Sequence, residues 1–271
     1  MRFPLRSAAA FALALDLVVS VFVARPAGAA RAFNGTSSDY ASTALDLSAY
    51  NKLTVTYWLW WNSNATNDDR LAFEDSCGSA FYSCSSSRVG FTMDQDSSTD
   101  AGKAGLGIAA GTTSVMTTAA FTRPSAGAWH EYVFLFDATA SGSSAIPTAY
   151  VDGVAQSLTY HYSSFTPQTA FNATTMYLMT RAGTSLFGAG RMADFAICGG
   201  VLLSQAQASA LAAGARPWTV CPGSLAFYIP MDGIASPEPD LSGHGQNVTI
   251  HGTTLTGAPP FLPLMPPRGL Q

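Results

Sequence analysis

Residues 53–60 read LTVTYWLW, and this octad decides the fold class. Period-two alternation puts Leu53, Val55, Tyr57 and Leu59 on one side of an extended chain and Thr54, Thr56, Trp58 and Trp60 on the other. Both sides carry bulk, which predicts a central strand that is covered on both faces or lines a concave surface. Residues 129–136, WHEYVFLF, repeat the pattern. Working outward, Tyr150, Val151, Asp152, Gly153 and Val154 spell a hairpin, because Asp-Gly supplies the positive φ angles of a type I′ turn. Residues 176–179, 192–198, 225–233 and 247–255 read as further strands. One segment reads as a short helix, near 204–213. Ser204 and Gln207 make a capping box, Ala206, Ala208, Ala210 and Leu211 are helix formers, and Gly214 followed by Pro217 ends it. The expected architecture is all-β, a two-sheet antiparallel sandwich with one short helix.

The composition suits a secreted β protein. The 29 serines and 26 threonines of the 271-residue chain outnumber its 13 basic and 17 acidic residues together, so hydroxyl groups carry much of the polar surface. Charged residues are 11% of the chain, against about 25% in an ordinary soluble domain, while 48% hydrophobic residues exclude charge-driven disorder. Lys occurs only at Lys52 and Lys103 and the net charge is −4, so no nucleic-acid partner is expected, phosphate binding needing a clustered basic patch. Arg2 and Arg6 precede an apolar run at 8–23, followed by Pro26, Ala27, Gly28 and Ala29. This small-residue exit predicts a cleaved secretory leader at 1–29, although Asp16 interrupts the run at a cost of about 2.5–3.5 kcal/mol on insertion scales. An uncleaved anchor is the alternative. No other stretch approaches the roughly 18 apolar residues that span a bilayer, so no stable membrane insertion is expected once the leader is gone. One domain at 30–256 is expected, followed at 257–271 by a Pro-rich, extended tail.

Four cysteines in an exported chain predict disulfides, and four allow three pairings. The favoured pairing joins Cys77 to Cys84, seven positions apart in a Ser-rich stretch, and leaves Cys198 and Cys221 to tie the helix back onto the sandwich. Zinc is disfavoured, because neither pair has C-x-x-C spacing or a histidine nearby.

Several segments together carry a family likeness. Residues 32–40 (AFNGTSSDY), 53–58 (LTVTYW), 129–133 (WHEYV) running on to Asp137, 150–153 (YVDG), 191–197 (RMADFAI) and Leu203-Ser204 follow one another in family order. In that order they resemble the LamG-like and pentraxin-like branch of the concanavalin A-like jelly rolls. The resemblance implies a jelly-roll sandwich used for binding, and it implies no particular activity. In many such modules a segment resembling LAFYIPMDG (225–233) and DLSGHG (240–245) opens the domain, whereas here it closes it. The order resembles a circular permutation, with strands at 223–256 completing the sandwich. Residues 247–255 are then expected beside the strand that starts at Ala32, which would otherwise be an open edge.

Hydrolytic relatives of this fold use two carboxylates about 5–10 Å apart. Glu occurs only at Glu74, Glu131 and Glu238, and nothing matches an E-x-D-x-x-E strand. Glu74 and Asp75 are adjacent and point to opposite faces of any strand. His130, His161, His244 and His251 form no catalytic motif, and no nucleophile elbow is present. No catalytic residue is therefore expected, and no cofactor except calcium. Asp94, Asp96 and Asp100 offer the oxygen ligands that calcium favours, the alternative being a solvated hairpin loop. Sugar recognition calls for exposed flat aromatics beside amides. Trp60, Trp61 and Asn62 meet that description, as do Tyr82, Tyr160 and Tyr162. The expected function is a secreted, non-catalytic module whose partner is a glycan or glycosylated surface. An adhesive protein-binding module is the second reading and a glycoside hydrolase the third.

Overall fold

The computed structural model describes residues 29–64, 70–76, 79–83, 89–97, 99–111, 115–233, 235–257 and 259. In chain order its strands are β1 (Ala29–Asn34), β2 (Tyr40–Asp46), β3 (Lys52–Trp61), β4 (Leu71–Ser76), β5 (Val89–Asp94), β6 (Lys103–Ala110), β7 (Met116–Thr122) and β8 (Trp129–Asp137). There follow β9 (Ala149–Val151), β10 (Val154–Ala155), β11 (Thr159–Ser163), β12 (Ala173–Leu178), β13 (Ala189–Gly199), β14 (Leu225–Ile229), β15 (Thr249–His251) and β16 (Thr254–Gly257). Among the described residues the helices are α1 (Gln205–Ala212), a single turn, α2 (Pro217–Val220), and a 3-10 turn at Gly142–Ala145.

The strands form two antiparallel sheets. The first runs β10-β9-β8-β3-β13-β1-β16, and the second β11-β7-β6-β5-β4-β12-β2-β15. The octad at 53–60 lies in β3, an internal strand between β8 and β13, as its two bulky faces require. Its odd positions point to the second sheet. Tyr57 stacks on Tyr132 at 5.5 Å and Phe195 at 5.6 Å, and meets Phe73 of the opposite sheet edge-on at 5.7 Å. The outer face of β3 and β8 is covered at one end by α1, where Val133, Leu135 and Tyr150 pack with Leu203, Ala208 and Leu211. The capping box is present: the Gln207 amide donates to the Ser204 hydroxyl at 3.4 Å, and Gln207 Oε1 accepts from the Ser204 amide at 2.9 Å. A disulfide joins Cys198 on β13 to Cys221 just beyond α2, with Cα atoms 6.2 Å apart. The expected Cys77–Cys84 bridge, the leader up to residue 28 and the tail from 260 lie outside the described residues. No helix among the described residues is long and apolar enough to cross a membrane.

The C-terminal segment closes both sheets. The sequence suggests one strand at 247–255, but two short ones form. β15 pairs with β2 in the second sheet, and β16 with β1 in the first, Ala32 lying opposite Thr254. The expected neighbour of the first strand is therefore present. The break is Gly252, where φ is +63° and an added Cβ would sit 2.4 Å from both Asp39 Oδ1 and the Ser38 carbonyl. Only glycine fits, and the chain can then turn from one sheet to the other. Gly252→Ala is expected to destabilise by about 2 kcal/mol through strain and displacement of that loop. Urea unfolding checks this, and an unchanged midpoint would show that the turn adapts.

Candidate functional site

The even positions of β3 face outward, and register brings distant residues beside them. Trp60 lies opposite Trp129 of β8 on one side and Arg191 of β13 on the other. The Trp60 and Trp129 rings meet nearly edge to face, with centroids 6.2 Å apart at 68°. The Arg191 guanidinium carbon lies 4.9 Å from the centre of the Trp60 ring, within the roughly 6 Å over which an indole face attracts a cation. Trp60, Trp129 and Arg191 are all half-buried, so each keeps a part in solvent. Two residues along on the same face, Trp58 packs with Ala30 and Ala193 and is buried, forming a firm base. Among the described residues, Arg191 meets no hydrogen-bond acceptor or carboxylate.

Beyond this platform the same face carries buried polar groups. A bulge in β13 places Asp194 at φ +51°. Its carboxylate accepts from Tyr228 Oη at 2.7 Å and Arg216 Nη1 at 2.5 Å. Burial pushes the Asp194 carboxyl above its ordinary range, offset by Arg216 and Tyr228. Glu131, opposite Trp58, is buried and takes the Thr56 hydroxyl on one oxygen, while its other oxygen has no partner. Burial pushes this carboxyl well up, and the charges of Asp194 and Asp152 push it further. Neither carboxyl is presented at the surface. On the second sheet, Glu74 is buried against Arg181 Nε at 3.0 Å, beneath a loop whose Phe81 ring would lie 2.6 Å from a Cβ on Gly107. Burial raises the Glu74 carboxyl despite that arginine.

The residues singled out by sequence do not converge. Trp60 belongs to the platform, but Trp61 is a correction. It is 4% exposed and packs in the inter-sheet core, because its odd position shares the side of Tyr57 and Leu59. Asn62 is exposed at the strand end, its amide donating to the Ala189 carbonyl at 3.0 Å. Tyr82 is half-buried against Phe81 in the loop over the second sheet. Tyr160 and Tyr162 are exposed on β11, the edge of the second sheet, with a bulge between them, and the Tyr160 hydroxyl donates to the Ile146 carbonyl at 2.8 Å. The acidic loop is tied to its neighbours by hydrogen bonds and ion pairs. Asp96 accepts from the Gly102 amide at 2.7 Å and pairs with Arg123 at 3.0 Å, while Asp100 pairs with Lys103 at 3.0 Å and His161 at 3.1 Å. Among the described residues, Asp94, Asp96 and Asp100 belong to no metal-sized cluster.

Sequence reading does not single out Trp129 or Arg191, since nothing short of strand register places them beside Trp60. It also misses an open groove of about 710 Å³ between β2 and β12, lined by Asp46, Tyr50, Thr174, Thr175, His244 and Gln246 among others.

No protein-family model matches the chain, and no curated protein does. Solved structures do. A heptameric SAP-like pentraxin from Limulus polyphemus superimposes with a TM-score of 0.54 at 13% identity, over 86% of this chain and 96% of that one. The chain folds as a concanavalin A-like jelly roll. Weaker matches to this jelly roll are domains LG4-5 of the mouse laminin α1 chain, with a TM-score of 0.44 at 15% identity over 71% of this chain and 47% of that one. The binding domain of botulinum neurotoxin serotype G gives 0.45 at 11% identity, over 67% and 41% of the two chains.

Proposed function

We propose that this jelly roll is a secreted, non-catalytic module that binds a glycan, free or on a glycosylated surface, at the Trp60–Trp129–Arg191 platform. The observation that carries the reading is a pair of half-exposed indoles held on adjacent strands. Pyranose faces are apolar, and flat, pre-ordered rings bury them at small entropic cost. The Cys198–Cys221 disulfide supports an extracellular setting. Glu74, Asp75 and Glu131 all lie below the surface, so they offer no open acid–base pair to a glycosidic bond. Affinity electrophoresis in polysaccharide gels tests the proposal. Trp129→Ala and Trp60→Ala are each expected to weaken binding about tenfold or more, some 1.4 kcal/mol, while unfolding free energy falls by less than about 1 kcal/mol, since the rings are half in solvent. Unchanged retardation in both variants would remove the platform from the reading.

Strand β11 favours the second reading, an adhesive protein-binding module. All five of its residues are exposed at a sheet edge, where an extended partner segment can add as a further strand. Loss of protein capture on Tyr162→Pro, with glycan binding intact, would select it.

A further inference from the structure

We propose that the platform selects saccharides that carry a carboxylate, with Arg191 as the residue that reads the acid. The inference rests on the glycan reading above and deepens it. Arg191 lies over the face of Trp60, so a ligand at that point meets a guanidinium backed by an indole as well as an open ring. An arginine on a surface usually finds a carboxylate or carbonyl. Among the described residues this one has none, although it is only half in solvent.

The surroundings leave its charge uncancelled. On the outer face of the same sheet, Asp194 is held by Arg216 and Tyr228, and Glu131 is buried and takes the Thr56 hydroxyl. Asp152 accepts from the Glu131 amide at 2.9 Å and pairs with His130 at 2.7 Å. Beside Arg191 in register stand Ala32 of β1 and then Thr254 of β16, small side chains that leave room next to the guanidinium. Trp129, Trp60, Arg191, Ala32 and Thr254 thus make one row across five strands, about 19 Å at ~4.8 Å per strand. That row gives an extended ligand a ring to stack on, a cation and then a hydroxyl. The guanidinium fork is planar and matches a planar carboxylate through two parallel N–H···O bonds, whereas an ammonium is a point charge. A uronate, whose carboxylate stands at the rim of its pyranose ring, has the chemistry the row would take.

The test is titration calorimetry of the intact protein with polygalacturonate, the same polymer reduced at its carboxyls, dextran sulfate and a neutral β-glucan. Polygalacturonate is expected to bind at least tenfold more tightly than its carboxyl-reduced form, and Arg191→Gln and Arg191→Lys are each expected to lose tenfold or more of that affinity. Lys52→Gln, eight residues up β3 and about 27 Å away at ~3.4 Å per residue, removes a surface cation and is expected to bind polygalacturonate like the parent. Thermal melting of each variant separates lost binding from lost folding. Equal binding of the reduced polymer, or Arg191 variants that fold and bind as the parent does, would overturn carboxylate selection and leave glycan binding standing. Dextran sulfate binding as tight as polygalacturonate would also overturn it, replacing recognition by bare charge attraction. Failure of all four polymers to bind would instead sink the glycan reading itself.

Discussion

Glu238→Ala is expected to cost about 3–5 kcal/mol of unfolding free energy, the usual penalty for stranding one partner of a buried ion pair. Glu238 is fully buried and Arg31 is 4% exposed. Both Nε and Nη2 of Arg31 lie 3.3 Å from Glu238 Oε2, and Nη2 also donates to the Gly233 carbonyl. The other carboxylate oxygen accepts from the amides of Asp232 at 3.0 Å and Gly233 at 2.9 Å. Arg31 Nη1 reaches the Thr253 hydroxyl at 3.2 Å. These two side chains, 207 positions apart, bind the first strand to the segment that leads into the last two. Without Glu238 the guanidinium stays buried with neutral acceptors only. The double replacement Arg31→Met with Glu238→Leu is expected to recover much of the loss, because it strands no charge. A double-mutant cycle by urea unfolding measures both effects. A loss below about 1 kcal/mol for Glu238→Ala would mean that the C-terminal closure adds little to the fold, and deleting residues after 220 should then be tolerated too.

Stability is expected to fall as pH rises from about 4 to 8, and Asp75→Asn is expected to remove about 4 kcal/mol of that fall. Asp75 lies between Phe91 and Met176 in register and is fully buried. Its carboxyl takes the Thr174 hydroxyl on one oxygen and has no partner for the other. Burial pushes it up to about 7 from 3.8, the Thr174 bond pulling it back and the charge of Glu74 adding to the rise. Because the folded value is the higher one, the contribution is whole below about pH 4 and is lost as pH climbs through about 7. A gap of about 3 pH units corresponds to about 4 kcal/mol. The raised Glu74 and Glu131 carboxyls push the same way. The lowered Asp46 and Asp137 carboxyls act oppositely, and only on the acid side of about pH 4. Chemical unfolding of parent and variant at several pH values between 4 and 8 tests the prediction. Parallel stability curves would show that Asp75 ionises freely in the folded protein. Thr174 also lines the groove between β2 and β12, so the same titration is expected to reach that surface.

Much of the architecture was legible in local patterns. The double-sided octad at 53–60 specifies an internal strand, since two apolar faces need two covering layers. Asp152 and Gly153 both take the positive φ that their hairpin needs, at 51° and 76°. Ser204 and Gln207 cap the helix through bonds that span three residues. Each of these features depends on neighbours in the chain. The candidate site was only half legible. Period-two parity already separates Trp61 from Trp60, but it does not say which side faces the second sheet, so Trp61 looks as open as Trp60. The acidic loop offers oxygen ligands in sequence, and only the fold brings Arg123, 27 positions beyond Asp96, against it.

What the chain determines locally is therefore strand, turn and cap, together with the antiparallel sandwich that such strands must form to bury their apolar sides. What the tertiary structure alone decides is which polar and aromatic groups meet. Arg191 reaches Trp60 across 131 positions because β13 pairs with β3 in one register, and a slip of one residue would send Arg191 to the core side. The same holds for Arg31 with Glu238 and for Asp75 with Thr174. Such pairings are set by the combined burial and hydrogen bonding of whole strands, energies that no short stretch of sequence contains.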